Sequence, residues 1–266
     1  MQLYASPRAQ RRSDLNIGGW AIILLAGVLW EVCSRTALQG YESLPPLTGV
    51  VAAFVGLIAS GELPKATLHT LEAVLIGWSI SCILGIVVGI ALGLSSTLRS
   101  WILSSLEVMR PLPAIAFLPL ALLLFNFSLT TELVLIIYAS IWPVLINTLG
   151  GVTSVPQRLW EVARTLRLSR TFTISKIVVP FSSPAILTGC RLSLGLSLVM
   201  AIVAEMIGNP HGLGYAVASE LQSLQPRRMF AYVIFIGLLG IFLNALVLFT
   251  AGKILTGHQD TGERDA

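Results

Sequence analysis

Charged residues are scarce in this sequence. Asp, Glu, Lys and Arg together make up 11% of the 266 residues, whereas hydrophobic residues make up 55%. The mean hydropathy is +0.83. Soluble globular domains contain about 25% charged residues. The composition therefore excludes a soluble domain and indicates an integral membrane protein, embedded in a lipid bilayer such as the inner membrane of a cell.

The sequence also lacks the residue patterns of most catalytic, nucleotide and metal sites. It contains no Walker A glycine loop, no HExxH motif and no paired Cys and His motif. Its cysteines, Cys33, Cys82 and Cys190, lie in or beside separate apolar segments, so they form neither a metal spacing nor a disulfide framework. The net charge of +4 is shared among the loops. We therefore expect no enzymatic activity, no cofactor, no metal and no nucleic-acid partner.

Long apolar segments predict an all-α fold with about six transmembrane helices. Spanning a bilayer core of about 30 Å takes about 20 helical residues. No small-residue cleavage site follows the first segment, which favours an uncleaved helix over a signal peptide. The predicted spans are 17–33, 67–94, 112–130, 133–152, 184–207 and 229–252. Residues 1–16 and 253–266 are then a polar N-terminal segment and a C-terminal tail.

Lysines and arginines lie mostly on one side of these predicted spans. With a cytoplasmic N-terminus, 12 of the 17 Lys and Arg residues fall in cytoplasmic segments and four fall outside, while Arg191 lies within a span. Cytoplasmic loops of membrane proteins carry an excess of positive charge. We therefore expect both termini, and the long loop at residues 154–180, to lie in the cytoplasm.

Residues 154–180, SVPQRLWEVARTLRLSRTFTISKIVVP, form the only extended polar segment between the two ends of the chain. Apolar residues recur in it at helical spacing, which predicts a short amphipathic helix that meets a soluble partner. Pro156 suits the first turn of that helix, and Ser169 can cap a second helix that ends at Pro180. The apolar positions are Leu159, Val162, Ala163 and Leu166, and the basic residues are Arg158, Arg164, Arg167, Arg170 and Lys176.

Two short motifs in this loop resemble the EAA loop of ABC importer permeases. Glu161-Val162-Ala163 is similar to its start, and Ile177-Val178-Val179-Pro180 is similar to its end, at the family's spacing. Arg167 stands where the family has a glycine, a residue suited to the left-handed conformation that ends a helix. In that family the loop docks into a groove on a cytoplasmic ATPase. The resemblance implies this contact for Leu159, Glu161, Val162, Ala163, Arg164, Leu166, Arg167, Ile177 and Pro180.

Further stretches resemble the branch of this family that imports nitrate, taurine and alkanesulfonates. The resemblance implies a type I importer permease whose substrate is a small solute, such as a sulfonate, taurine or nitrate. It also implies a homodimer, two ABC ATPase subunits and an extracytoplasmic solute-binding protein that holds most of the selectivity. The similar stretches are residues 60–63, 69–71, 77–78, 110–120, 142–149, 184–189 with Arg191, 204–206 and 212–215, within a region of roughly residues 44–250.

Two ionisable residues in the fifth predicted span indicate a candidate substrate path. Arg191 and Glu205 are fourteen residues apart, so on a helix they lie within about 40° of each other and about 21 Å apart along the axis. Ionisable groups in a span usually face a bundle interior or a water-filled path. Alternatively, both side chains extend to opposite membrane surfaces. The remaining candidate path residues are Asn147, Thr188, Gly195, Leu198 and Ile202.

Two other function classes stay open at this point. A secondary transporter with its own coupling ion would show inverted repeats or paired broken helices, and only the proline-rich stretch at residues 110–120 predicts a broken span. A polytopic membrane enzyme would need a catalytic constellation in or at the membrane. The sequence favours the permease over both.

Overall fold

A computed structural model describes residues 17–36 and 44–256 of the chain. Within these residues the regular structure is entirely helical. The predicted N-terminal segment 1–16 and most of the predicted tail 253–266 lie outside the described residues. The helices are α1 (Ile17–Arg35), α2 (Leu47–Ala59), α3 (Glu62–Leu94), α4 (Ser96–Met109), α5 (Leu118–Phe125), α6 (Leu129–Thr153), α7 (Gln157–Thr165), α8 (Arg170–Thr173), α9 (Val179–Gly208), α10 (Gly212–Gln222) and α11 (Pro226–Thr256).

Four stretches of the described chain are helical, long and apolar enough to cross a membrane. They are α3, α6, the continuous run from α8 through α9, and α11. A fifth span is possible if α4 and the helical segment Ala114–Phe125, which meet at an angle of 82°, cross together. The expectation of an all-helical membrane protein is therefore confirmed. The count of six spans stays a prediction, with α1 at the position of the first.

The predicted third span, 112–130, is not one helix. A short 3-10 turn covers Ala114–Phe117 and leads into α5, which ends at Phe125 because Asn126 takes a positive φ of 58°. Prolines before and within this stretch lack the N–H that regular helix needs. The helix α4 lies between the second and third predicted spans, where no helix is predicted, and α3 begins at Glu62, five residues before the predicted start of the second span.

Close packing of α3, α6 and α9 forms the centre of the bundle. Glycines on α3 bring it against α6: a Cβ added to Gly85 would lie 2.7 Å from Cβ of Val144, and one added to Gly93 would lie 2.5 Å from Cγ1 of Val152. Small residues allow this close approach of helix backbones in membranes. Because residues 85 and 93 meet residues 144 and 152 in the same order, α3 and α6 run in the same direction.

The helix α9 runs antiparallel to this pair, which defines two ends of the bundle. Ser197 of α9 hydrogen-bonds to Ser140 of α6 at 2.8 Å, and Glu205 near the end of α9 bonds to Thr70 near the start of α3 at 3.0 Å. We call this end the α10 end, since α10 packs there. The opposite end, where α3 and α6 finish and α7 packs, is the α7 end.

Candidate functional site

The predicted amphipathic helix is present as α7 at the α7 end. It runs from Gln157 to Thr165, between Pro156 and the cap residue Leu166, after which Arg167 takes the left-handed conformation with φ of 50°. The Leu168 N–H then bonds to the Ala163 carbonyl at 3.0 Å, which closes the helix end. Arg167 therefore adopts the conformation for which the resembling family carries a glycine.

The second helix of the loop differs from its prediction. Ser169 caps α8 as predicted, because its Oγ accepts a hydrogen bond from the Phe172 N–H at 3.3 Å. The helical segment does not end at Pro180, however. A π-turn at Ile174–Val178 joins α8 to α9, and Pro180 lies in the first turn of α9. The ring of Pro180 would clash with the preceding turn of a regular α-helix, and the wider π-helical turn makes room for it. Ile177 and Pro180 therefore lie at the start of the long membrane-spanning helix.

The apolar stripe of α7 is divided between two surfaces. Ala163 is buried, and Leu159 packs with Trp160 against a small core formed by Val152, Val155 and Val178. Val162 and Leu166 point outward, with 45% and 63% of their surfaces exposed. Glu161 and Arg164 are also exposed. One side of α7 thus anchors the helix to the bundle while the other side presents apolar and charged groups to solvent.

A basic cavity of about 430 Å³ lies between α7 and α8. Three of the exposed arginines line it together with apolar side chains from α7 and from the end of α3. Guanidinium groups bind carboxylates through paired hydrogen bonds. The cavity can therefore accept an acidic side chain of a partner. Its lining residues are Leu94, Trp160, Ala163, Arg164, Arg167, Leu168, Arg170, Thr173 and Ile174.

Four of the predicted path residues meet in a second cavity of about 420 Å³ between α9 and α11: Thr188, Arg191, Gly195 and Leu198. Arg191 is exposed, and its Nε donates a hydrogen bond to Oδ1 of Asn244 at 2.8 Å. Apolar groups form most of the remaining wall. The arrangement offers one cation, one amide and the hydroxyl of Thr188 in a mostly apolar space, which suits a small anion.

The other predicted path residues lie elsewhere. Asn147 is half-buried, donates to the Pro143 carbonyl at 2.8 Å and packs beside the backbone of Gly189. Ile202 packs against the core. Glu205 is fully buried, so its side chain does not extend to the membrane surface. The predicted path residues of α9 therefore lie on one helix face, but Thr188 to Leu198 line a cavity whereas Ile202 and Glu205 are packed inside the bundle.

Sequence reasoning missed two groups of polar residues. Asn244 was not assigned to the path, although a polar side chain within an apolar run of α11 is itself a signal. Glu132 was also missed, although a carboxylate beside an apolar run is the same kind of signal. It lies in the first turn of α6 and is buried next to His69 and Asn209. No spacing links these three residues, because each comes from a different segment of the chain.

Comparison with known proteins identifies similar chains. Residues 82–254 match the family described as binding-protein-dependent transport system inner membrane component. The nitrate import permease protein of Leptolyngbya laminosa is 34% identical over 190 residues, which are 71% of this chain and 68% of that protein. The taurine transport system permease protein of Escherichia coli is 31% identical over 239 residues, which are 88% of this chain and 86% of that protein.

Solved structures show a similar fold. The inward-facing MetNI methionine ABC transporter contains a chain that matches with a TM-score of 0.59 at 13% sequence identity. The match covers 73% of this chain and 95% of that one. At this identity the likeness concerns the arrangement of helices, and it agrees with the bundle of α3, α6 and α9 described above.

Proposed function

The chain belongs to the family of binding-protein-dependent transport system inner membrane components, and from this membership we propose how it transports a small anion. It is the permease subunit of an ATP-binding cassette importer, an integral membrane protein that works with an ATPase and a solute-binding protein. Our proposal assigns α7 to the ATPase contact and the cavity between α9 and α11 to the translocation path.

The divided surface of α7 is the observation that carries the ATPase assignment. A helix that only packed on the bundle would bury its large apolar residues, yet Val162 and Leu166 remain exposed at the end of a basic segment. Leu159 and Ala163 fix α7 to the ends of α3 and α6, so a movement of the docked helix reaches the bundle directly. An acidic side chain of the ATPase enters the cavity between α7 and α8 and pairs with Arg164 or Arg170.

The Arg191 cavity supports an anionic substrate. A guanidinium group that is exposed in a membrane span attracts a negatively charged solute and interacts little with a neutral one. Nitrate is an anion and taurine carries a sulfonate group, and those are the solutes named for the two permeases compared above. We propose a small inorganic anion or sulfonate as substrate, with its identity set mainly by the binding protein.

The assembly follows from one coupling segment in each chain. Two copies form a homodimer, each contacts one ATPase subunit, and ATP hydrolysis takes place on those subunits. Closure of the ATPase pair moves the two α7 helices, and the bundles pivot to open the path toward the binding protein. Both termini and the α7 end lie in the cytoplasm, because the exposed basic side chains of residues 154–180 cluster there.

A co-purification experiment tests the α7 assignment. Val162→Asp combined with Leu166→Asp should leave the permease inserted with unchanged thermal stability, since both side chains are exposed. It should lower the amount of ATPase that co-purifies, and the rate of transport, at least tenfold, because a carboxylate in an apolar groove costs about 2 kcal/mol or more.

The matched control is Leu224→Asp, which changes an apolar side chain that is 86% exposed at the opposite, α10 end. It should keep the ATPase at the wild-type ratio. If the double variant also keeps its ATPase and transports normally, α7 does not dock, and the assignment is wrong.

A further inference from the structure

Two buried carboxylates meet at the α10 end of the bundle. Glu132 from the first turn of α6 is 1% exposed and Glu205 from the last turn of α9 is 0% exposed. His69 of α3 completes the group: one ligand atom from each of the three side chains lies within 4.8 Å of the others. Among the described residues, no lysine or arginine pairs with either carboxylate. We call these three residues the buried triad.

Each carboxylate of the buried triad keeps one oxygen without a partner. Oε2 of Glu205 accepts hydrogen bonds from Thr70 Oγ1 at 3.0 Å and from the Gly214 N–H at 2.8 Å, but its Oε1 has no partner among the described residues. Oε1 of Glu132 accepts from the Asn209 amide, and its Oε2 has none. A buried, unpaired carboxylate oxygen costs several kcal/mol. Such a pair calls for a cation or a shared proton beside it.

The surrounding backbone holds Glu205 in place. Gly212 has a positive φ of 92°, and a Cβ added to it would lie 2.2 Å from the Glu205 Cδ. The first turn of α10 therefore lies flat against the carboxylate. Thr70 strengthens this contact, because its Oγ1 also accepts a hydrogen bond from the Leu213 N–H at 2.9 Å. Glu205 cannot turn away from Glu132 without undocking α10, so the triad is held in position before any ligand binds.

We propose that His69, Glu132 and Glu205 bind a divalent transition-metal ion of the Zn²⁺ class. Two carboxylates neutralise the charge of a divalent ion, and an imidazole ligand favours Zn²⁺ over Mg²⁺ or Ca²⁺. Ligand atoms about 2.0 to 2.1 Å from a tetrahedral Zn²⁺ are about 3.3 Å apart. Nε2 of His69 and Oε1 of Glu132 are separated by 3.3 Å. An ion bound here would be one that the sequence did not lead us to expect.

The surroundings of His69 provide an access route to the buried triad. The Asn209 amide lies 3.2 Å from His69 Nε2 and also contacts Glu132. Three protein ligands leave the fourth tetrahedral position of the ion for a water molecule. His69 also lines an open cavity of about 330 Å³ together with His211 and Lys65. Through this cavity a hydrated ion can reach His69 from the surface of the α10 end.

Metal binding would join three helices at the end opposite to α7. His69 comes from α3, Glu132 from α6 and Glu205 from α9, and a ligand that binds only the folded state raises its stability by mass action. Binding can be measured without transport, so the test does not depend on the proposed function. The ion would raise the melting temperature of the wild-type protein as well as appear in its metal content.

The experiment uses untagged protein in detergent, stripped with a chelator and dialysed against Zn²⁺, or against Co²⁺ as a spectroscopic probe. The wild type should retain one ion per chain, and Co²⁺ should give the visible absorption of a tetrahedral site. Glu132→Gln and His69→Gln should each bind at least tenfold more weakly. Glu220→Gln is the matched control: this carboxylate lies at the same end but pairs with Arg228 at 2.9 Å, and its loss should leave binding unchanged.

Melting temperatures without metal show whether each variant folds. Glu132→Gln should be at least as stable as the stripped wild type, because it removes one of two like charges. Stoichiometric binding that both triad variants lose supports the proposal. Equal binding by all four proteins, or no binding by the wild type, overturns it, and a proton shared by the two carboxylates then accounts for their burial.

Discussion

The two ends of the helix bundle differ in how their chemistry is assembled. At the α7 end, five basic side chains are exposed within one continuous stretch, residues 154–180. At the α10 end, Glu132 and Glu205 are buried, and the contact of Glu205 with Thr70 joins residues 135 positions apart. The functional residues of the α7 end are therefore neighbours in the sequence, whereas those of the α10 end come together only when the bundle folds.

This difference predicts two kinds of failure. A substitution on the exposed side of α7 removes a partner contact and leaves the fold intact, as in the co-purification test above. A substitution in the tightly packed α10 end displaces the backbone and lowers the stability of the folded protein. The substitutions below test this contrast in order of decreasing effect.

The largest effect is expected for Gly214→Val at the α10 end. A Cβ at this position would lie 2.2 Å from the Ile202 carbonyl oxygen and 2.9 Å from the Glu205 Cβ. Backbone cannot yield as a flexible side chain does, so we expect a loss of about 3 kcal/mol or more of stability. The measurement is the fraction of monodisperse protein left after heating in detergent.

The control for this substitution is Gly237→Val in α11, where an added Cβ would meet no atom of another helix within 4 Å. It should melt close to the wild type. If Gly214→Val melts at the same temperature as this control, then α10 is loosely docked and the contrast between the two ends fails.

The same contrast explains what the sequence could predict. The α7 segment was identified because its spacing, its cap at Ser169 and its motif residues all lie within 27 positions of one another. The apolar composition likewise predicted the membrane class, and helical periodicity placed Arg191 with Thr188, Gly195 and Leu198. Each of these inferences uses residues on one helix or one loop.

The missed features depend on contacts between helices. The pairing of Arg191 with Asn244 and the meeting of His69 with Glu132 follow from how α3, α6, α9 and α11 pack, and no local pattern encodes that packing. The break at Asn126 was also missed, since a residue other than glycine with positive φ is uncommon. The division of the α7 stripe required knowledge of the surface that lies beneath Leu159.

An intermediate effect is expected in the cavity that lies between the two ends. Arg191→Gln removes the cation but keeps a hydrogen-bond donor near Asn244. We expect about a five- to tenfold loss of uptake for nitrate, taurine or ethanesulfonate, whichever the complete importer transports, because a lost charge contact is worth about 1 kcal/mol. Arg191→Lys should recover part of it. Uptake by vesicles containing the permease, its ATPase and its binding protein gives the measurement.

The matched control is Arg99→Gln in α4, which removes an arginine from outside the cavity. It should transport at the wild-type rate. Equal rates for Arg191→Gln and this control would mean that the cavity only separates α9 from α11, and the path would then be sought beside Asn147.

The smallest effect is expected for Arg167→Gly, and its sign is informative. Arg167 holds a positive φ of 50°, which costs a non-glycine residue about 1 kcal/mol. Glycine relieves that strain but gives the unfolded chain more freedom, so the melting temperature should stay equal or rise by about 1 to 3 °C. Arg164→Gly, within α7, should instead lower it, because glycine costs up to about 1 kcal/mol in a helix.

Transport by Arg167→Gly separates the local conformation from the partner contact. If the position only needs a left-handed turn, then transport should equal or exceed that of the wild type, since the turn after α7 is kept or strengthened. If transport falls while the melting temperature stays equal or rises, then the Arg167 side chain itself binds the ATPase. A specific charge contact would then stand at the position where the EAA loop has a glycine. That second result would extend the contrast between the two ends, because even the left-handed residue that follows α7 would then serve the partner rather than the fold.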